Sequence, residues 1–352
     1  MLEPNNDILE NYKNFLHANG IQNDILNGLP YDENSIIESF NYFLNLIAIN
    51  NGNYILQTTP LELHPYLYDH IVDISKHNLV IGTFPPFSYA GNLLNQMNVI
   101  VGNIGMPATN YFHGNELSFW KFCADNILSA SNFGINDILE FLDRKSTTIT
   151  DIIKVCQREL VDDRYTAKDT SLINIQLNLD IIKILLNNNS FRKIIFTNSG
   201  TNGVNGIKIL TNNGRQGEVC TKNRDAFSLF LRACQILNKR VDLALPIIDD
   251  QFELNWITLN YQNRLLINDI FKNKVSFKIR LYNTTDEFYE YIVNTPPSPS
   301  GEARRGLANN AIYLNQRGAD LNFTVDVYRR MIYQQIINPQ IDEGILRMYN
   351  QL

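Results

Sequence analysis

The spacing of apolar residues along this chain changes several times between helical and strand-like patterns. Residues 5–50 place apolar positions at helical spacing, which predicts a small helical N-terminal region. Residues 78–84 form a short apolar run that ends at Pro85-Pro86, a pattern typical of a buried strand that opens into a loop. Residues 191–196 form a second such run, and a polar turn with a glycine follows it. Further helices are predicted at 117–127, 172–186, 224–237 and 325–346.

The order of these elements predicts the fold class. Strands that alternate with helices favour a mostly parallel sheet with helices on both faces, an α/β fold. Ligands of such sheets bind at the carboxyl ends of the strands. The loops after Phe84, Phe196 and Val293 are therefore expected to converge on one site, with Asp151 nearby. Residues 149–153 are interpreted either as a short buried strand or as a turn that starts the next helix.

Two regions fall outside this simple alternation. Residues 239–286 alternate apolar and polar positions in places and are longer than a crossover needs, so a β-rich insertion is predicted there. The sequence is accordingly divided into a helical N-terminal region, 1–70, and an α/β domain, 71–352, that carries the insertion. Arg329 and Arg330, in the last predicted helix, are expected on a solvated face.

Composition narrows the class of protein. The chain has 352 residues, of which 44% are hydrophobic and 19% charged, as in ordinary globular proteins. It begins without a signal-peptide pattern and has no run of about 18 apolar residues, so a cytoplasmic protein without a membrane partner is expected. The four cysteines lack a C-x-x-C pair, which argues against zinc, an iron–sulfur cluster or a disulfide framework. No cofactor is expected.

The net charge of −6 gives no global positive field, so any contact with nucleic acid must be local. Residues 295–306 offer such a contact. Three prolines stiffen the segment, and its hydroxyl, glycine N–H and guanidinium groups are donors that bind phosphate oxygens. A proline- and serine-rich surface linker is the alternative. The predicted contacts to the DNA backbone are Ser298, Ser300, Arg304 and Arg305; a basic groove is also considered, formed by Lys154, Arg158, Arg164, Lys168, Arg304 and Arg305.

Five segments, in chain order, carry a family pattern. They are LVIGTFPP (79–86); YFHGNELSFW (111–120); DII, C-x-R and D-x-x-L (between 151 and 172); KIIFTNSG (193–200); and TPPSPS (295–300). Together they resemble the uracil-DNA glycosylase superfamily, especially its branch of mismatch-specific and hypoxanthine-type glycosylases. The resemblance implies a three-layer fold with a central four-stranded, mostly parallel sheet. It also implies a monofunctional hydrolase that cleaves the bond between sugar and base in a flipped nucleotide of DNA and leaves an abasic site.

The resemblance also suggests which residues hold the base. Cleavage leaves negative charge on the departing base, so the site needs donors facing the base, a positioned water and exclusion of solvent. Phe84, Phe112, Asp151, Thr197 and Asn198 are the predicted base-binding residues. Core packing is an equal interpretation for Phe84, a turn for Thr197 and Asn198, and a helix N-cap for Asp151.

The group that positions the water is harder to assign. Relatives in this branch carry an Asn three residues before the Trp, where this chain has Leu117. The nearest polar residues are His113, Asn115 and Glu116, and Asn115 or Glu116 is predicted to hold or deprotonate the water. A turn at Gly114-Asn115 that leads into a helix is the alternative interpretation.

Alternative functions follow from these residues. An ionised Asp151 only accepts hydrogen bonds, so it favours a base that offers an N–H. This preference leans towards a cytosine-derived or purine base, and one alternative is excision of modified cytosine from phage DNA as antiviral defence. A second alternative is an inactive nucleic-acid-binding module of the same fold, since the Asn is lost at Leu117. A third is a nucleotide-binding domain that reads phosphate through residues 199–203.

Overall fold

The structure is a computed structural model of the 352-residue chain. It describes residues 6–18, 21–22, 30, 32–57, 61–67, 71–84, 111–112, 119–123, 134–159, 169–197, 225–244, 256–259, 276–296 and 311–338.

The described residues contain helices and strands in mixed order. The helices are α1 (Asn6–Ala18), α2 (Glu33–Leu44), α3 (Phe119–Cys123), α4 (Ile135–Arg144), α5 (Asp180–Asn187), α6 (Ala226–Ile236), α7 (Ala311–Ala319) and α8 (Val325–Ile336). The strands are β1 (Ile47–Asn50), β2 (Asn53–Leu56), β3 (Leu61–Leu63), β4 (Asn78–Gly82), β5 (Thr147–Asp151), β6 (Ile153–Arg158), β7 (Leu172–Leu177), β8 (Lys193–Phe196), β9 (Val241–Ala244), β10 (Trp256–Thr258), β11 (Ser276–Tyr282) and β12 (Phe288–Asn294). The protein therefore has mixed α/β architecture, as predicted.

Among the described residues, the largest sheet has seven strands in the order β10-β9-β11-β12-β8-β4-β5. Its neighbours β12, β8, β4 and β5 are mutually parallel, whereas β10, β9 and β11 extend the sheet with antiparallel pairs. The predicted count of four strands is therefore wrong for the sheet as a whole. The extra strands come from residues 239–286, the segment interpreted as an insertion: β11 pairs with β12, β9 pairs with β11, and β10 pairs with β9.

A smaller antiparallel sheet, β3-β6-β7, lies beside the main sheet, and β1 and β2 form a separate hairpin. Strand β7 corrects the helix predicted over 172–186. Residues 173–177 alternate apolar and polar side chains, Ile-Asn-Ile-Gln-Leu, and in the strand the apolar ones are half-buried while Asn174 and Gln176 are exposed. The helix begins only at Asp180, so a two-residue period was mistaken for a helical one.

Helices cover both faces of the main sheet. Alternate residues of β4 enter different cores: Val80 packs in a core with α1, α2, α3, α4 and α8, while Leu79 and Ile81 pack in a second core with α5 and α6. All five residues of β4 are buried, as its continuous apolar run predicts for a central parallel strand. Arg329, expected to be solvated, is 1% exposed and lies 4.5 Å from the centre of the Phe122 ring. Its helix packs this face inwards.

Two aspartates cap helices in contrasting surroundings. Asp225 accepts a hydrogen bond from the Ser228 N–H at the start of α6, and burial raises its pKa to about 6. Asp32 accepts one from the Ser35 N–H at the start of α2, and these hydrogen bonds lower the pKa of its exposed carboxyl. The two caps should therefore contribute to stability in different pH ranges.

Substitution of each cap by Asn tests this contrast, because Asn keeps an acceptor and removes the charge. The stabilisation linked to Asp225 is complete below its usual pKa and is lost as pH rises through about 6. Asp225→Asn should thus gain stability relative to the unmodified protein between pH 4 and pH 7, by roughly 1 to 3 kcal/mol. Asp32→Asn should show little change in relative stability between pH 4 and pH 7, because a carboxyl with a lowered pKa loses its stabilisation only as pH falls below its usual value. Urea unfolding at both pH values measures the two differences, and a similar change in both variants would contradict the assignment.

Candidate functional site

The four parallel strands bring several predicted residues to one edge of the sheet. Asp151 is the last residue of β5 and pairs with Gly82 at the end of β4. Thr83 and Phe84 follow β4, and Thr197 follows β8, where its N–H donates to the Ile81 carbonyl over 3.1 Å. Phe84, Asp151 and Thr197 are all buried at this carboxyl edge. This is the edge at which ligands of parallel sheets bind.

The central feature of the edge is a buried hydrogen bond between Asp151 and His64. His64 Nε2 lies 2.8 Å from Asp151 Oδ2, and the two side chains are 0% and 1% exposed. His64 directly follows β3, and its N–H donates to the carbonyl of Lys154 in β6 over 2.9 Å. The small sheet therefore carries His64 to the end of β5.

A main-chain contact fixes the direction of the His64 ring. The N–H of Tyr66 donates to His64 Nδ1 over 3.2 Å, so Nδ1 is an acceptor. Neutral imidazole carries one N–H, which must then be on Nε2 and donate to Asp151 Oδ2. The carboxylate is thereby held through one oxygen, and its other oxygen, Oδ1, remains for another contact.

Aromatic rings enclose this pair. The rings of Phe84 and Phe112 each lie 5.2 Å from the His64 ring, centre to centre. Phe112 also stacks on Tyr66 at 4.9 Å, with 26° between the ring planes. Three of the residues predicted to bind a base, Phe84, Phe112 and Asp151, thus meet around one histidine.

The turn that supplies Phe112 has an uncommon backbone. Phe112 has φ of 61° and Tyr111 has φ of 23°, and side chains other than glycine rarely adopt positive φ. Tyr111 packs edge-on against both Phe112 and Tyr66, at 4.9 Å and 5.2 Å between ring centres. Packing of the rings offsets the cost of this backbone, which places Phe112 beside His64.

Two buried polar atoms at the site have no hydrogen-bond partner within the described residues. They are Oδ1 of Asp151 and the hydroxyl of Tyr66. Burial, and then the charges of Tyr111 and Asp151, raise the pKa of Tyr66 well above its usual value, so its hydroxyl keeps its proton. Burial also raises the pKa of Tyr111 to about 12. The site therefore holds one acceptor and one donor that can each take a further partner.

Backbone contacts hold Asp151 in place. The side-chain amide of Asn178 donates to the Asp151 carbonyl over 3.2 Å, and the Asn178 N–H donates to the Ile152 carbonyl over 2.8 Å. Strand β6 begins at Ile153, directly after this point. Asp151 is therefore a strand residue, and the alternatives of a helix N-cap and of a turn that starts a helix are wrong.

A second set of polar residues follows the same strands as the His64–Asp151 pair. The Thr83 hydroxyl donates to Asp169 Oδ2 over 3.1 Å, and the charge of Asp169 adds to the raised pKa of Asp225. Arg158 is fully buried, with its guanidinium 5.6 Å from the Phe84 ring centre. Arg158 therefore does not contribute to a surface basic groove, as was considered from the sequence. Burial raises the pKa of the Cys156 thiol above its usual range, so this cysteine stays protonated.

Other predicted site residues lie outside the described part of the chain, and their assignments stay predictions. They are His113, Asn115, Glu116, Asn198, Ser298, Ser300, Arg304 and Arg305. Among the described residues, no group of three or more His, Cys, Asp or Glu side chains is arranged to hold a metal ion. Nor does any described helix combine the length and apolar character needed to cross a membrane.

His64 and Tyr66 were missed by the sequence interpretation. They lie in the segment Leu-Glu-Leu-His-Pro-Tyr, residues 61–66, within the region interpreted as helical. Alternation of apolar and polar residues before a proline is the signal of a short strand that ends there. Read in that way, His64 stands at a strand end, where functional side chains collect.

No match was found when the chain was compared with protein-family models, with curated proteins and with solved structures.

Removal of one partner of the buried pair should be far more harmful than removal of both. His64→Phe keeps an aromatic ring between Phe84 and Phe112 but leaves Asp151 without its donor, so we expect a loss of about 3 to 5 kcal/mol in the free energy of unfolding. The double variant His64→Phe/Asp151→Leu replaces the pair by apolar groups and should recover most of this loss. Chemical unfolding of the single and double variants measures the coupling. Additive losses would contradict a coupled pair.

Proposed function

We propose that the protein is a DNA glycosylase that hydrolyses the bond between sugar and base of a flipped nucleotide and leaves an abasic site. The proposal rests on an acceptor, Asp151 Oδ1, and a donor, the Tyr66 hydroxyl, that have no hydrogen-bond partner among the described residues. Asp151 is bonded to the histidine that packs between Phe84 and Phe112, and Tyr66 stacks on Phe112. A nucleobase needs these two kinds of contact, hydrogen bonds to its edge and apolar surface against its face.

The residues of the site suit the release of a base from its sugar. A departing base gains negative charge, which a protonated phenol stabilises by donating a hydrogen bond. Tyr66 keeps its proton because burial raises its pKa. Asp151 Oδ1 would accept an N–H of the same base and so orient it. The attacking water is assigned to Asn115 or Glu116 with His113 nearby, on the resemblance of residues 111–120 alone.

The fold is compatible with this function at a coarse level. Four adjacent parallel strands with helices on both faces are what the resemblance to the uracil-DNA glycosylase superfamily implies, and β9, β10 and β11 are an addition to that plan. Under the proposal the partner is DNA, gripped through Ser298, Ser300, Arg304 and Arg305, and the protein acts in the cytoplasm.

An incision assay tests the proposal. Oligonucleotides that carry uracil, hypoxanthine or modified cytosine are incubated with the protein and then treated with alkali, which breaks the strand at abasic sites. Strand scission on at least one of them is expected. If the protein binds the oligonucleotides and releases no base, it is instead an inactive nucleic-acid-binding module.

Single substitutions then test the assigned roles. Asp151→Ala and Tyr66→Phe should each lower the rate of base release by roughly 10- to 1000-fold, in line with the loss of one positioned hydrogen bond. Asn115→Ala and Glu116→Ala test the group that positions the water. Asp286→Ala changes an exposed position in the turn before β12, outside every segment assigned to the site, and is the control that should leave the rate unchanged. Unchanged rates in all four site variants would refute the proposed site.

A further inference from the structure

His64 controls which polar atom of the side chain at position 151 faces a ligand, because the His64 ring cannot rotate freely. If the ring flipped about its Cβ–Cγ bond, a carbon would take the place of each nitrogen, so the Tyr66 N–H would lose its acceptor and Asp151 Oδ2 would lose its donor in a buried place. The ring is also packed between Phe84 and Phe112. Its Nε2–H therefore points permanently at residue 151.

This constraint acts on the side chain that receives the hydrogen bond. Whatever stands at position 151 must turn an acceptor towards His64, and only its second polar atom can meet a ligand. In Asp151 that atom is Oδ1, which in the ionised carboxylate accepts hydrogen bonds and donates none.

We infer that His64 sets the hydrogen-bonding polarity of position 151, so that the site takes a base that presents an exocyclic amine to Asp151 Oδ1. This inference rests on the proposed function. An amine donates to the carboxylate oxygen, whereas a carbonyl in the same place would set two acceptors against each other. Amino-bearing bases of the cytosine or adenine type are the substrate class, and His64 determines specificity without touching the base.

The substitution Asp151→Asn should reverse the preference between an amine and a carbonyl on the base. The amide that this substitution introduces would turn its carbonyl oxygen to the fixed Nε2–H of His64 and present its NH2 group to the base. The variant should therefore prefer a carbonyl where the unmodified protein prefers an amine. A histidine with only a structural role would not fix the direction of this amide.

Matched probe bases vary the edge that would face Asp151. Oligonucleotides with 5-hydroxymethylcytosine or 5-hydroxymethyluracil differ in an amine or a carbonyl at position 4 and in the hydrogen that uracil carries on N3, and adenine and hypoxanthine differ in the same sense at position 6 and N1. Each is placed opposite an abasic position, so that pairing strength does not differ between probes. Dissociation constants come from fluorescence anisotropy, and single-turnover rates come from alkaline strand scission.

The unmodified protein should favour the amine of each pair by roughly tenfold or more, the effect of about one hydrogen bond. Asp151→Asn should favour the carbonyl by a similar factor.

Asp151→Asn/His64→Phe lacks the fixed donor, so its amide can turn and the two probes should bind within about threefold. Asp151→Asn/His64→Gln, whose amide can itself reverse, provides a second test if the first double variant does not fold. Asp286→Asn should keep the preference of the unmodified protein.

The results separate the two claims. Equal affinity of the unmodified protein for amine and carbonyl overturns the inference, as does a carbonyl preference that survives removal of His64. Release of bases without these preferences leaves the glycosylase proposal standing. Failure to release any base removes that proposal, while the binding ratios still test the role of His64.

Discussion

The buried hydrogen bond between His64 and Asp151 is the contact on which the site depends. It joins the small antiparallel sheet to the carboxyl end of β5, across 87 residues of sequence. Two polar side chains with essentially no exposure must satisfy each other, since an unpaired polar group in such a place costs about 1 to 3 kcal/mol or more. The pair therefore fixes where β3 ends relative to the main sheet, and with it the positions of Tyr66 and the surrounding rings.

The amino-acid sequence predicted the parallel strands and the edge at which they end better than it predicted their number. Continuous apolar runs identify β4 and β8 because both faces of a central parallel strand are buried. Strands β9 and β10 are short, and their places as the last two strands on one side of the sheet depend on long-range pairing that no local pattern records. Strand β7 was mistaken for a helix because apolar residues continue into α5 and blur the change of period.

The site was predictable to a similar degree, and for related reasons. Phe84, Phe112 and Asp151 belong to segments with a recognisable pattern, and each reaches the same cluster. His64 carries no such pattern. Its importance arises from the pairing of β3 with β6, which sets the His64 main chain against Lys154 and so brings the ring to Asp151. A residue that acts through tertiary contact alone has no local signature, and a strand-end histidine before a proline is the most that the sequence offers.

The two ends of the parallel strands use polar groups in different ways. At the amino end, the ammonium of Lys193 donates to the Ile336 carbonyl over 3.2 Å and also to the Asn338 carbonyl, and the Asn78 amide donates to the Ile337 carbonyl over 3.1 Å. These donors occupy the carbonyls at the end of α8, where a helix needs them. At the carboxyl end, Asp151 Oδ1 and the Tyr66 hydroxyl are buried without such partners among the described residues. A buried polar atom without a hydrogen-bond partner costs free energy, and a ligand that supplies the missing partner removes this cost. Asn78 Oδ1 at the amino end is also buried without a partner among the described residues, so the contrast lies in what surrounds these atoms: Asn78 and Lys193 support the end of α8, whereas Asp151 and Tyr66 lie among aromatic rings that the proposed function assigns to a base.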